Sequence, residues 1–176
     1  TRDQAHHRLG PVVDNDEARS GESVVRAEAA ALPWPVQYVV EPRRGIAQAR
    51  NRAVAVALEA GAEAVAFIDD DEVPDPSWLV ELLHALTAAG AAVVTGPVLP
   101  VFDCPPPAWV TDGAFFDRPR FDDLHPMTYA RTSNGLITAP LLRDPPTPFD
   151  ERFGLTGGED THFFLRVRLA GAPMVW

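Results

Sequence analysis

Glu63-Ala64-Val65-Ala66-Phe67-Ile68-Asp69-Asp70-Asp71-Glu72 is a near-continuous apolar run of strand length that ends abruptly in four carboxylates. A strand apolar on both faces belongs in the centre of a parallel sheet covered by helices. Ligands of open α/β sheets bind beyond the carboxyl ends of the strands, so the acidic group falls where a ligand would sit. Adjacent carboxylates repel one another unless something positive joins them. In an extended segment Asp69 and Asp71 point to one side and Asp70 to the other. Asp69 and Asp71 are therefore the candidate ligands of a hard divalent cation, Mg²⁺ or Mn²⁺, completed by substrate phosphates, and Asp70 a candidate for a sugar hydroxyl. The competing reading is a solvated loop that caps the next helix, but Asp75 already supplies a cap. A calcium EF-hand is excluded because Pro74 stands where glycine is required and Val80 where the last glutamate belongs.

The pattern repeats on both sides. Upstream, Val12-Val13 leads into Asp14-Asn15-Asp16 as the end of a buried strand, and Ser20 to Ala31 reads as a helix with Ser20 as N-cap. Val36 to Val40 reads as the next strand. Gly45 to Ala60 reads as a helix whose buried face carries Ile46, Ala49, Ala53, Val56, Ala57 and Ala60, ended by Gly61. Downstream, Asp75-Pro76 starts a helix with the stripe Leu79, Leu82, Leu83 and Leu86, and Ala91 to Val98 returns as a strand. Such β-α alternation predicts an α/β fold with right-handed crossovers.

Beyond Gly96 prolines cluster at Pro105 to Pro107 and at Pro145, Pro146 and Pro148. Trp109, Phe115, Phe116, Phe121 and Tyr129 are interleaved, which predicts long ordered loops where substrate-binding groups commonly sit. Ser133 to Leu142 reads as a short strand and a turn. Asp160 to Ala170 reads as a helix with Phe163, Phe164, Val167 and Leu169 apolar.

The 176 residues suffice for one domain with a sizeable core. Hydrophobic residues at 46% and charged residues at 23% are a globular balance. A net charge of −10 argues against a nucleic-acid binder, which needs a basic face. It leaves room for a phosphate-bearing substrate neutralised by a cation. The single cysteine, Cys104, rules out a disulfide framework and a cysteine zinc site, and fits a reducing cytoplasm. No signal peptide is visible from Thr1 onward, and no apolar run reaches transmembrane length. The polar start at Thr1-Arg2 and the apolar close at Met174-Val175-Trp176 read as cut ends.

Three further constellations carry chemistry. Gly157-Gly158-Glu159-Asp160 stands at a helix start, where glycines permit close backbone approach and carboxylates gain from the helix dipole. An ionised carboxylate there can act as general base on a hydroxyl, though a plain N-cap explains it equally well. Asp14 is placed to accept from a nucleobase or ribose, against the common alternative of a plain turn. Arg50 is the best candidate for a phosphate or base contact, because a guanidinium fork suits planar or anionic partners. Arg43 and Arg52 read as surface charges. None of the histidines, His6, His7, His84, His125 and His162, has metal-ligand spacing to another. Ser20 and Ser133 lack a histidine–acid pattern.

Taken in order, Val12-Val13-Asp14-Asn15-Asp16, Glu41 to Asn51, Phe67-Ile68-Asp69-Asp70-Asp71-Glu72, Gly96-Pro97-Val98 and Gly157-Gly158-Glu159-Asp160-Thr161 resemble glycosyltransferase family 2, the inverting enzymes of GT-A fold. Within it the resemblance is to bacterial exopolysaccharide glucosyltransferases of the succinoglycan type, which Pro107-Ala108-Trp109 and Ser133-Asn134-Gly135 share. The resemblance implies a Rossmann-like, mixed but mostly parallel sheet flanked by helices in a single domain. Residues 1–100 would be the nucleotide-sugar half and 101–176 the acceptor-binding and catalytic half. It implies a UDP-sugar donor, with Asp14 on the uracil or ribose and Arg50 and Asn51 along the nucleotide. Asp69 to Asp71 would form the DxD-type motif, with Asp71 the main metal ligand and Asp69 beside it. Asp160 would deprotonate the acceptor hydroxyl with Glu159 adjacent, and Trp109, Asn134, Gly157 and Gly158 would meet the donor or acceptor sugar. A lipid-linked saccharide acceptor would place the protein at the cytoplasmic face of the membrane. The family's opening strand and base-holding turn have only Thr1-Arg2 as a remnant, and the stretch that follows Trp176 in the family is missing.

Two rivals belong to other classes. A sugar nucleotidyltransferase would need a glycine-rich basic loop after the first strand, and none is visible. A non-catalytic sugar- or protein-binding module would have no need to keep both Asp69 to Asp71 and Asp160.

Overall fold

The computed structural model describes residues 9–176; Thr1-Arg2, His6 and His7 lie outside the described residues. The elements run β1 (Gly10–Asp14), α1 (Glu22–Ala29), β2 (Val36–Val40), α2 (Ile46–Glu59), β3 (Ala64–Phe67), α3 (Trp78–Ala89), β4 (Val93–Thr95), α4 (Ala108–Asp112), β5 (Gly135–Thr138), α5 (Ala139–Arg143), α6 (Glu159–Leu169) and β6 (Met174–Val175), with a 3₁₀ turn at Glu151–Phe153. The fold is mixed α/β with parallel-rich sheets flanked by helices. The strands form two sheets rather than one, with order β1-β2 and β3-β5-β4-β6. β1 pairs parallel with β2 from Gly10 opposite Val36 to Asp14 opposite Val40, and β4 pairs parallel with β6.

Two compact units make up the domain: Thr1–Val65 with Ile137–Val167, and Ala66–Leu136 with Arg168–Trp176. In the first, α2 packs on β1, α5 and the 3₁₀ turn. Its core holds Ala47, Val54, Ala57, Leu142, Phe149, Phe163 and Phe164, with Phe149 and Phe163 ring centroids 5.0 Å apart. In the second, α3 packs on β4 and β6 over Leu82, Val93, Val94, Met174 and Val175.

Several expectations shift in detail. The buried face of α2 is Ala47, Asn51, Val54, Val56 and Ala57, while Ile46 is 42% exposed. The cause lies at the helix start. The Asn15 side chain accepts the Gly45 N–H at 2.7 Å, and the Gly154 carbonyl accepts the Ile46 N–H at 2.9 Å, which fixes the first turn with Ile46 outward. Ser20 does not cap α1. Gly21 is the N-cap residue, and its N–H donates to the Asp14 carboxylate from the end of β1. The residue before α3 is Ser77, but Asp75 does accept its N–H at 2.9 Å. Only Leu82 of the α3 stripe is fully buried, and Leu169 on α6 is exposed. β1 is half-exposed, and β3 alternates between buried and half-buried positions instead of being covered on both faces. β4 is shorter than the Ala91 to Val98 run.

Candidate active site

In the first unit, parallel pairing brings the ends of β1 and β2 together. The Tyr38 hydroxyl donates to Asp14 Oδ2 at 2.6 Å, the Gly21 N–H to the same oxygen at 2.9 Å, and the Asp16 N–H to Oδ1 at 3.0 Å. These bonds, the Tyr38 hydroxyl first, hold the Asp14 carboxyl below its ordinary range against the cost of desolvation. Desolvation and then the Asp14 partner push the Tyr38 phenol up to about 12. Asp14 is thus an organising carboxylate of its own chain, a role the sequence did not suggest.

The pH consequences follow from those directions. A depressed Asp14 favours the folded state above the unfolded value of about 3.9, and that contribution disappears as pH falls through the folded value. The raised Tyr38 contributes fully below about 10 and is lost as pH climbs towards 12. Tyr38→Phe should therefore move the acid unfolding midpoint, followed by circular dichroism, to higher pH. An unchanged midpoint would show that the hydroxyl does not hold Asp14.

Next to Asp14, the Asn15 amide donates to the carbonyls of Glu41 at 2.7 Å and Arg43 at 2.9 Å, tying β1 to the loop after β2. That loop is further braced by Arg43, which bonds Glu41 and reaches Glu151, so Arg43 is a cross-link and not a loose surface charge. Glu41 is buried, and its carboxyl lies below the ordinary range, chiefly because of Arg43.

Asn51 is not placed as a nucleotide ligand would be. It is buried in α2 and clamps the Phe149 backbone, donating to the carbonyl at 2.8 Å and accepting the N–H at 3.0 Å. Asn51→Ala would remove both of these hydrogen bonds from the core, and each contributes about 1 kcal/mol or more. A urea titration should show a loss of roughly 2–3 kcal/mol; a loss near zero would mean that the loop re-pairs elsewhere.

At the start of α6, Gly157 and Gly158 adopt φ of 73° and 93°, the left-handed region that glycine tolerates. They turn the chain into the helix whose first residues are Glu159 and Asp160. The two neighbours fare differently. Glu159 is 2% exposed and forms an ion pair with Arg50, itself 12% exposed in side chain. Its Oε2 has no hydrogen-bond partner among the described residues. Asp160 is half-buried, its Oδ1 accepting the Thr161 N–H at 2.6 Å and the Thr161 hydroxyl at 3.3 Å. Arg50 is therefore engaged by Glu159, not displayed for a phosphate.

In the second unit, Asp69, Asp71 and Glu72 line a cleft of about 290 Å³. Asp70 is exposed and not part of its lining. The segment is a turn, closed by a Glu72 N–H to Asp69 carbonyl bond of 3.2 Å, so the separation of Asp70 arises from a turn and not from strand alternation. Glu72 also accepts the Asp69 N–H at 3.1 Å. Burial pushes the Glu72 carboxyl up, and the charges of Asp69 and Asp71 add to the rise against that N–H bond. Carboxylate oxygens that line a cleft are the donor type a hard divalent ion takes when phosphate oxygens complete its ligands. Among the described residues no group of three or more His, Cys, Asp or Glu encloses a metal by itself.

Asn134 is committed to the chain. It accepts the Trp78 indole N–H at 2.7 Å and donates to the Pro97 carbonyl at 2.7 Å, with φ of 53°. Its neighbour Ser133 faces the cleft in its place. Trp109, on α4, is 68% exposed and packs edge-on against Phe115 at 5.9 Å, lining a separate apolar hollow. Sequence reasoning missed Arg118 and Arg131 at the cleft, since nothing in a proline- and aromatic-rich stretch marks which side chains line it, and missed Trp176, which follows β6.

Glycosyl transferase family 2 matches residues 11–144, and the chain belongs to that family. The chain is also similar to succinoglycan biosynthesis protein ExoM of Rhizobium meliloti (strain 1021), 31% identical over 169 residues, which is 94% of this chain and 52% of the relative. The chain thus spans about half the length of that relative. Among the described residues no helix is long and apolar enough to cross a membrane.

Proposed function

We propose that this chain carries the catalytic centre of an inverting glycosyltransferase that moves a sugar from a UDP-sugar to a hydroxyl of a saccharide acceptor in bacterial exopolysaccharide synthesis. The observation that carries the reading is the cleft that Asp69, Asp71 and Glu72 line together beyond the end of β3. Membership of the family and the relative's name support transfer and pathway class. Mn²⁺ or Mg²⁺ held by Asp69 and Asp71 would supply Lewis-acid stabilisation of the departing diphosphate.

The chain's own residues do the rest. Asp160 takes the proton of the acceptor hydroxyl as that oxygen forms its bond to the anomeric carbon. The carbon–oxygen bond to the diphosphate breaks on the opposite face, and its electron pair leaves with the phosphate oxygen. Configuration inverts, so an α-linked donor gives a β-linkage. Glu159 does not share the proton transfer; it anchors Arg50 and thereby the first turn of α6. Asp70 remains available to a sugar hydroxyl, and a lipid-linked acceptor would bring the protein to the cytoplasmic membrane face.

Calorimetric titration of UDP and of GDP, with Mn²⁺ and with chelator, tests the donor assignment on wild type and Asp71→Ala. Metal-dependent UDP binding that the substitution removes is the expected result. Binding of GDP alone would change the donor, and binding of neither would sink the reading.

A further inference from the structure

The 3₁₀ turn at Glu151–Phe153 comes just before the paired glycines, and it is tied to the loop after β2. Arg43 reaches Glu151 at 2.9 Å, and the Gly154 carbonyl accepts the Ile46 N–H at 2.9 Å. The Gln48 side chain fills the space that a Cβ of Gly154 would take. Asp150 closes the turn by accepting the Arg152 N–H at 3.0 Å. The loop after β2 is in turn joined to the end of β1 through Asn15 and the Gly45 N–H. The end of β1 and the 3₁₀ turn therefore share one frame within the first unit.

Phe153 stands where this frame meets α6. Its carbonyl accepts the N–H groups of Thr156 at 3.2 Å and Gly157 at 3.0 Å, which folds the chain back into the glycine turn. Its ring lies 3.9 Å from where a Cβ at Gly158 would stand, and its centroid is 5.2 Å from that of the His162 ring. Gly158 and His162 share one face of the helix start, and the His162 N–H donates to the Gly158 carbonyl at 2.9 Å. The Phe153 ring thus braces that face. Asp160 lies about 200° round the helix from Gly158, so the brace leaves its carboxylate uncovered.

Resting on the reading of Asp160 as general base, we infer that Phe153 is its positioning residue: the Phe153 carbonyl and ring set the glycine turn that aims the Asp160 carboxylate. Gly157 and Gly158 supply the left-handed backbone but no side chain that could stiffen it. The direction of the first turn of α6 therefore comes from what packs on it. Glu159 pairing with Arg50 fixes one side, and Phe153 fixes another. Such a brace matters for rate, because a misplacement of about 1 Å at a reacting group can cost about a hundredfold.

The test compares wild type with Phe153→Leu, which keeps apolar volume without the flat ring, and with Phe153→Tyr, which keeps the ring. Leu155→Ala, 82% exposed in the same segment, is the control. Amide hydrogen exchange read by mass spectrometry follows residues 156–162, and transfer from UDP-glucose to a glucosyl disaccharide follows the chemistry. Phe153→Leu should speed exchange in that stretch about tenfold, with the rest of the chain unchanged. It should also lower kcat about tenfold to a hundredfold while KM for UDP-glucose stays within about twofold. Phe153→Tyr should restore both, and Leu155→Ala should match wild type. Wild-type exchange and kcat in Phe153→Leu overturn the inference. So does faster exchange spread over the whole chain with kcat per folded molecule unchanged, since that marks a residue that only stabilises the fold. Asp160→Asn in the same assay separates the two failures. If it transfers at wild-type rate, the general-base reading falls, while local exchange in Phe153→Leu still upholds the brace.

Discussion

Asp160→Asn should lower the rate of sugar transfer about a thousandfold while UDP affinity stays within about twofold, since a positioned general base contributes roughly 10²–10⁴ in rate. The substitution keeps an oxygen able to accept the Thr161 N–H, so the first turn of α6 retains its geometry. What it removes is the group that takes the acceptor's proton. Steady-state transfer assays and calorimetry on the same preparation separate the two effects. A variant at wild-type rate would remove Asp160 from the chemistry and favour a binding module, whereas a matched loss of rate and UDP affinity would mean that Asp160 serves the donor.

Glu159→Gln should cost about 1–3 kcal/mol of stability, the usual loss for a hydrogen bond to a charged buried group. Both groups are well shielded, at 2% and 12% exposure, so little of that value is screened by solvent. For a chain of this size the melting midpoint should fall by roughly 5 °C. Glu159→Leu, which also removes the polar head, should cost more than Glu159→Gln. Calorimetric melts of both variants decide the matter. If Glu159→Gln melted like wild type while transfer collapsed, Glu159 would be a chemical group and not an anchor for its neighbour.

Together these variants distinguish two adjacent carboxylates that look alike in Gly157-Gly158-Glu159-Asp160. One is withdrawn to meet Arg50 from α2, and the other remains half-exposed at the helix start. A helix turns about 100° per residue, so neighbouring side chains must face different surroundings. Sequence alone leaves open which of them faces inward.

The sequence by itself determined the α/β class, the existence and order of β1 to β3 and α1 to α3, α6, and the acidic cluster at Asp69 to Asp71. These depend on local properties: β-branched runs, helical periodicity, glycine and proline punctuation, and the clustering of carboxylates after an apolar strand. Tertiary structure alone decided what the individual side chains do. Asn51 lies within a motif legible in sequence, yet it clamps Phe149 across a separation of 98 residues. Asp14 is bound by Tyr38 because parallel pairing of β1 with β2 brings distant residues into register. Arg118 and Arg131 sit in a loop without periodicity, and only the folded chain brings them to the carboxylate cleft. Local pattern encodes local geometry, but a polar side chain's partner is chosen by which distant segment the core packs against it, and no short-range signal carries that choice.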